Sequence, residues 1–166
     1  MFAAGIVFLP VQAASAHCEI PCGIYDDQMR IEMIREDILT VEKSMKQIQE
    51  LSAQGEKNYN QLVRWITNKE AHADKIQEVV YQYFMSQRIK PVDETDKLMY
   101  EKYVKELTLL HKILVHAMKA KQEVDLGIIA ALRDLVDAFE TSYFQTTEAM
   151  DMRSHPHAPP KIPAQK

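Results

Sequence analysis

The chain has 166 residues and a formal net charge of −4, from 20 Lys and Arg residues against 24 Asp and Glu residues. This length fits one domain with its own core, and an acidic chain without a basic cluster is unsuited to nucleic-acid binding. Only four glycines among many helix-forming residues favour an all-helical protein.

Residues 1–16 are apolar, carry no charge and end in Ala14-Ser15-Ala16. Small residues in this pattern precede the cut made by signal-type peptidases, so we expect a processing peptidase to cleave after Ala16. The segment is too short to cross a bilayer as a helix, and the mature form is not expected to enter a membrane. The sequence therefore predicts an exported or periplasmic protein. Two alternatives stay open: a pro-segment removed in the cytoplasm, and an uncleaved apolar N-terminus packed on the core.

The next stretch, residues 17–25, reads His-Cys-Glu-Ile-Pro-Cys-Gly-Ile-Tyr and contains both cysteines of the chain. Pro21 prevents a helix between the two cysteines, and Gly23 allows a sharp turn after the second. In an exported chain, Cys18 and Cys22 could close a small disulfide loop. Their position beside a potential new amino terminus instead favours a metal site.

Cleavage after Ala16 would gather a specific set of donors. These are the amine and imidazole of His17, the amide nitrogen and thiolate of Cys18, and the thiolate of Cys22. The amine, amide and thiolates can form a plane of two nitrogens and two sulfurs, with the imidazole above it. Planar nitrogen and sulfur ligation suits nickel(II) or copper(II).

The first helix is predicted from about residue 27 to residue 53, with acidic residues at its start. Its apolar residues recur every three or four positions, as in a coiled-coil seam: Ile31, Ile34, Ile38, Val41, Met45 and Ile48. A turn at 55–60 follows, and a second helix ends near Arg88, before Pro91. Lys69 interrupts its apolar face, which is expected to contain Leu62, Ile66, Ala73, Ile76, Val80 and Tyr83.

Residues 93–96 open a third helix, and a break at 122–127 separates it from a fourth. The predicted apolar face of the third comprises Tyr100, Tyr103, Leu107, Leu110, Leu114, Ala117 and Lys121. That of the fourth comprises Ile128, Leu132, Leu135, Phe139 and Tyr143. Four amphipathic helices with short connections predict an all-α, antiparallel four-helix bundle with an irregular N-terminal metal-binding hook. We expect the domain to span 17–150, after a removed segment 1–16, and the proline-rich residues 151–166 to form a solvated tail.

The pattern His17-Cys18-x-x-Pro21-Cys22-Gly23-x-Tyr25 resembles the nickel hook of nickel-containing superoxide dismutases. All signature positions are present, whereas the resemblance of the remaining chain is one of length and helical architecture. It implies a homohexameric oxidoreductase with one nickel ion per chain. The implied reaction converts superoxide to oxygen and hydrogen peroxide as nickel alternates between Ni(II) and Ni(III), bound by His17, Cys18 and Cys22.

The resemblance also implies roles for residues around the metal. Tyr25 corresponds to a tyrosine at the open face, where it would shape access and order water or substrate; the alternative is an aromatic residue that packs the hook on the bundle. Glu32 corresponds to a glutamate that orients the His17 imidazole, or is an ordinary surface residue. Tyr83 resembles a second tyrosine near the site, and Arg64 is a candidate for an arginine near the histidine.

Two other interpretations of the hook remain at this stage. One is an exported metal carrier that binds nickel without turnover, and the other is a structural bundle with a simple disulfide. The helical histidines His72, His111 and His116 are expected to be surface or core residues, since no Glu-x-x-His pair occurs. Because superoxide is an anion, the net charge of −4 does not assist its approach, and lysines near the hook would have to attract it.

Overall fold

The computed structural model of the chain describes residues 23–145, which form four α-helices. The helices are α1 (Asp27–Ala53), α2 (Tyr59–Glu78), α3 (Lys97–Gln122) and α4 (Leu126–Phe144). A 3-10 turn, Glu56–Asn58, precedes α2, and a π-helical segment, Val79–Arg88, continues directly from α2. The predicted leader 1–16 and tail 151–166 lie outside the described residues.

Aspartates begin three of the helices by accepting a hydrogen bond from a backbone N–H that has no partner inside the helix. Asp26 accepts from the N–H of Met29 at 2.9 Å, and Asp125 accepts from the N–H of Gly127 at 2.8 Å. Asp96 does the same for α3. Between α1 and α2, Gly55 has a φ of 77°, a value that glycine adopts without steric strain.

The helices pack in a ring, with α1 and α3 each in contact with both α2 and α4. Because the connections between consecutive helices are short, neighbours along the chain run antiparallel. The predicted all-α four-helix bundle is confirmed. Among the described helices, none combines the length and the apolar character needed to cross a membrane.

The core follows the predicted seams closely in α1 and less closely elsewhere. All six predicted apolar residues of α1 are buried. In α2, however, Ile66 is 39% exposed. In α3, Leu110 and Ala117 are buried as predicted, but Leu107 and Leu114 are only half-buried, and the residue that precedes each of them is buried instead. The buried residues of α3 are Glu106, Leu110, Ile113, Ala117 and Ala120.

The π-helical segment is a feature that periodicity did not predict, although the helix ends at Arg88 as expected. Its turns are closed by bonds between residues five apart, such as that from the N–H of Ile89 to the carbonyl of Phe84 at 2.8 Å. In an α-helix, five residues make about 1.4 turns and point in different directions. The wider turn brings Tyr83 and Arg88 toward the same side.

Lys69, which interrupts the apolar face of α2, is almost fully buried and closes the C-terminal end of α3. Its ammonium group donates to the carbonyls of Ala120 at 2.6 Å, Lys121 at 2.5 Å and Glu123 at 3.2 Å. These are carbonyls that a helix end leaves without partners. Burial lowers the pKa of Lys69, so the charge is held there against a desolvation penalty.

We predict that Lys69→Met destabilises the protein by about 1–3 kcal/mol, because the substitution leaves buried carbonyls without donors. Urea unfolding followed by circular dichroism measures the change. The matched control is Lys75→Met, which removes an exposed lysine of the same helix and should alter stability by less than about 0.5 kcal/mol. Equal effects of the two substitutions would contradict the capping role of Lys69.

Candidate metal centre

The predicted ligands His17, Cys18 and Cys22, together with Pro21, lie outside the described residues, so their arrangement stays a prediction. The structure begins directly after them. Gly23 has a φ of 75°, in the left-handed region that favours glycine. Residues 23–26 are not helical, so the chain leaves Cys22 without entering a helix. Two thiolates together with nitrogen donors form a ligand set that is chemically suited to nickel.

Tyr25 is the residue of the hook pattern that the structure places against the bundle. Its ring meets the ring of Tyr83 in an edge-to-face arrangement, with centroids 5.9 Å apart and an interplanar angle of 72°. The guanidinium carbon of Arg88 lies 4.3 Å from the centroid of the Tyr25 ring, within cation–π range. The structure therefore brings together Tyr25 and Tyr83, two residues that the sequence analysis singled out.

A partly buried carboxylate, Asp27, lies behind this pair and accepts four hydrogen bonds. Its Oδ1 accepts from the Tyr83 hydroxyl at 2.5 Å and from Nε of Arg88 at 2.8 Å. Its Oδ2 accepts from Nη2 of Arg88 at 2.7 Å and from the Tyr143 hydroxyl at 2.8 Å. We call Tyr25, Asp27, Tyr83, Arg88 and Tyr143 the Asp27 cluster. It joins the start of α1, the π-helical segment and the end of α4.

The protonation states of the Asp27 cluster follow from burial and these bonds. Burial alone would raise the pKa of Asp27, but hydrogen bonds from Arg88, Tyr83 and Tyr143 outweigh it and hold the pKa below its ordinary value. Burial, and then the proximity of the Asp27 carboxylate, raise the pKa values of Tyr83 and Tyr143 far above that of an ordinary tyrosine. At neutral pH the cluster therefore contains a carboxylate anion, a guanidinium cation and two neutral phenols that donate.

A second arginine, Arg30, covers Tyr83 from another side. Its guanidinium carbon lies 4.9 Å from the centroid of the Tyr83 ring. Its Nε is buried and has no hydrogen-bond acceptor among the described residues, while Nη1 points to the thioether of Met33 at 3.7 Å. Unlike Arg88, Arg30 forms no ion pair within residues 23–145.

The structure does not bring Glu32 or Arg64 into the Asp27 cluster. The Glu32 side chain is 58% exposed and bonds to Arg35 at 2.8 Å and to Gln28 at 3.2 Å, both on its own helix. Arg64 is exposed on α2. It precedes Tyr83 by 19 positions, which corresponds to about 28 Å along a helix. The arginines that do lie beside the tyrosines are Arg30 and Arg88.

Among the helical histidines of residues 23–145, His72 pairs with a carboxylate: its Nδ1 lies 2.6 Å from Oδ1 of Asp37. This pair lies between α1 and α2. In residues 23–145, no group of three or more His, Cys, Asp and Glu side chains is arranged to hold a metal ion.

Sequence reasoning treated Asp27 as a helix-start residue and Tyr143 as a core residue, and it did not single out Arg88. The pair Asp26-Asp27 contained a signal for a role of Asp27 beyond capping, because a single aspartate suffices to cap a helix. The Arg88 contact had no sequence signal, since α-helical geometry would direct Arg88 away from Tyr83.

A comparison with known protein families shows to which family the chain belongs. The model of the family described as nickel-containing superoxide dismutase matches residues 12–147. The chain belongs to this family. It is therefore an oxidoreductase with a nickel cofactor and superoxide as its substrate. No curated protein and no solved structure matches the chain.

The raised pKa of Tyr83 predicts a loss of stability in alkali. Below about pH 10 the phenol is protonated in both states, and above it the unfolded phenol ionises while the folded phenol keeps its proton. The free energy of unfolding then falls by about 1.4 kcal/mol per pH unit for each such tyrosine. We expect Tyr83→Phe to remove one such contribution from the slope measured by urea unfolding between about pH 10 and 12.

Tyr59→Phe is the control for this measurement, because Tyr59 is exposed. It should leave the slope of stability against pH unchanged. A Tyr83→Phe slope equal to that of the unmodified protein would contradict a phenol held protonated by burial and Asp27.

Proposed function

We propose that the chain dismutates superoxide at a nickel site assembled by cleavage after Ala16. The ligands are the amine and imidazole of His17, the amide nitrogen and thiolate of Cys18, and the thiolate of Cys22. The observation that carries this proposal is the family match over residues 12–147, which contains the complete hook pattern. Gly23 in its left-handed conformation and Tyr25 at the adjoining end of the bundle support it.

The reaction consumes two superoxide anions and two protons and yields one molecule of oxygen and one of hydrogen peroxide. Nickel at the hook supplies the one-electron couple, Ni(II)/Ni(III), for which thiolate and anionic amide donors are suited. The polypeptide has three remaining tasks: to hold the hook, to control access and to admit protons and the anionic substrate.

Tyr25 is the phenol that we assign to the open face of the metal. The hydroxyls of Tyr83 and Tyr143 both donate a hydrogen bond to Asp27. Within residues 23–145, the Tyr25 hydroxyl donates to no acceptor. It can therefore order water or substrate by hydrogen bonding, whereas Tyr83 supports the Tyr25 ring. This division assigns different roles to the two tyrosines that the sequence analysis placed near the site.

We also propose how the chain is divided, where the protein is located and how it assembles. Residues 1–16 form a leader removed by a processing peptidase, residues 17–150 the catalytic domain, and residues 151–166 a tail. The mature protein is exported, in agreement with the apolar leader, and assembles as a homohexamer with one nickel ion per chain. These statements rest on the leader sequence and on the family resemblance.

We predict that the purified mature protein begins at His17, contains one nickel ion per chain and removes superoxide. Cys18→Ser and Cys22→Ser should each abolish nickel binding and activity, since each replaces a thiolate with a hydroxyl that binds nickel poorly. Intact-mass analysis, metal analysis and a pulse-radiolysis assay measure the three properties. Substitution of His72, which pairs with Asp37 away from the hook, is the control and should leave the nickel content unchanged.

The same measurements separate the alternatives. Cleaved protein with stoichiometric nickel and no superoxide turnover would contradict the enzyme and favour a metal carrier. An oxidised cysteine pair without bound metal would favour a structural disulfide.

We propose further that Arg30, rather than a lysine, attracts superoxide to the hook. It lies five residues after Tyr25, contacts the Tyr83 ring and has no carboxylate partner among the described residues. The charge of Arg88, by contrast, is compensated by Asp27 in a bidentate pair. In a chain with a net charge of −4, a cation of this kind creates a local field that favours an anion.

Arg30→Gln should lower kcat/KM for superoxide and weaken its dependence on ionic strength. A unit charge at about 5–10 Å in water is worth about 0.4–0.8 kcal/mol, or about a two- to fourfold rate effect. Arg30→Lys, which keeps the charge, should retain most of the salt dependence. Lys57→Gln removes one exposed charge beyond the far end of α1 and is the control; an equal loss in that variant would refute a local effect.

A further inference from the structure

We propose that Asp27 is a positioning residue that fixes the ring of Tyr25, through Arg88 and Tyr83, before nickel is bound. The inference rests on the proposed function for its catalytic meaning. The contacts that carry it lie entirely within the described residues.

Asp27 holds both groups that contact the Tyr25 ring. Its two oxygens accept from Nε and Nη2 of Arg88 at 2.8 and 2.7 Å, and such a bidentate pair fixes the plane of a guanidinium group. The carbon of that guanidinium group lies over the Tyr25 ring, 4.3 Å from the ring centroid. The Tyr83 hydroxyl donates to the same carboxylate at 2.5 Å, which sets the Tyr83 ring whose centroid is 5.9 Å from that of Tyr25.

The carboxylate of Asp27 is not required for the start of α1. Asp26 is the residue that caps the helix, by accepting from the N–H of Met29. The Asp27 side chain is instead directed to Arg88 and the two phenols, where burial opposes its charge and the hydrogen bonds maintain it. Because the Asp27 carboxylate is desolvated and does not cap the helix, we attribute its presence to the positioning of Arg88 and Tyr83.

The Asp27 cluster lies close in the chain to the predicted nickel ligands, so the position of the Tyr25 ring bears on the metal site. Asp27 begins α1, Arg88 ends the π-helical segment and Tyr143 lies near the end of α4, so three elements are joined at one point. Tyr25 lies two residues before Asp27, and Cys22 three residues before Tyr25. Three residues span at most about 11 Å. A fixed Tyr25 ring therefore defines where the last ligand of the hook is tethered.

The test uses Asp27→Asn, with Asp26→Asn as the matched control, since asparagine caps a helix as well as aspartate does. Asparagine at position 27 presents an NH₂ group to Arg88 and cannot accept a bidentate pair. Both variants are compared with the unmodified protein in the cleaved form. Hydroxyl-radical footprinting of the metal-free protein, read by tandem mass spectrometry, reports the exposure of Tyr25. The exposed Tyr59 is the internal standard.

We expect Tyr25 in Asp27→Asn to be oxidised at a rate close to that of Tyr59, while Asp26→Asn behaves as the unmodified protein does. In the nickel-loaded protein, Asp27→Asn should lower kcat/KM by about 10- to 100-fold at unchanged nickel content, as residues that orient metal-site groups typically do. Because Asp27 acts through Arg88, the losses in Asp27→Asn and Arg88→Gln should not add in the double variant.

Unchanged footprinting of Tyr25 in Asp27→Asn would overturn the proposal. So would an activity loss that only follows a loss of nickel or of helical circular dichroism, because that result indicates a purely structural role. If Asp27→Asn does not fold, Arg88→Lys provides the same test, since it keeps a cation but not the bidentate plane. Slow Tyr25 oxidation in folded Arg88→Lys protein would also overturn the proposal. The metal-free footprinting result does not depend on turnover, so a failure of the superoxide assay in the unmodified protein counts against the proposed function alone.

Discussion

The hydrogen bonds to the Asp27 carboxylate are the interaction on which the end of the bundle beside Tyr25 depends. The Asp27 side chain is only 16% exposed, it retains its charge, and it accepts from Arg88, Tyr83 and Tyr143. Removing one member of such a network leaves the others as desolvated groups without partners, which is more costly than losing an exposed hydrogen bond. The network also connects α1, the π-helical segment and α4, so the polar contacts and the helix packing support one another.

The π-helical segment is the backbone feature that makes this network possible. Bonds between residues five apart bring Tyr83 and Arg88 to a common carboxylate, and π-helical turns are often found at functional sites. The same segment places Phe84 in the core, edge-to-face with Phe139 at 5.0 Å and with Tyr143 at 5.7 Å. Contacts between aromatic rings thus extend from Tyr25 through Tyr83 and Phe84 into the centre of the bundle, and this packing supports the Tyr25 ring.

Buried charges are used differently elsewhere in the bundle. Lys69 closes the C-terminal end of α3 with three hydrogen bonds to carbonyls, and its role is structural. Arg30 is the opposite case, since its guanidinium lies over an aromatic ring and has no ion pair among the described residues. The first arrangement stabilises a helix end, and the second leaves a positive charge available beside the residues that follow the hook. The family assignment and the proposed attraction of superoxide give that charge a purpose.

The sequence by itself determined the helices and the seam of α1, and it predicts the chemistry of the hook. These are local properties, because helix periodicity, capping residues and the predicted donor set of His17, Cys18 and Cys22 depend on residues close in the chain. The tertiary structure decided which side chains lie beside Tyr25. Asp27 and Arg88 are 61 residues apart, and their meeting depends on a local change of helix type and on the docking of three elements. Glu32 and Arg64 were assigned through the family resemblance, and only the packed helices could show that Arg30 and Arg88 are the cations beside the tyrosines.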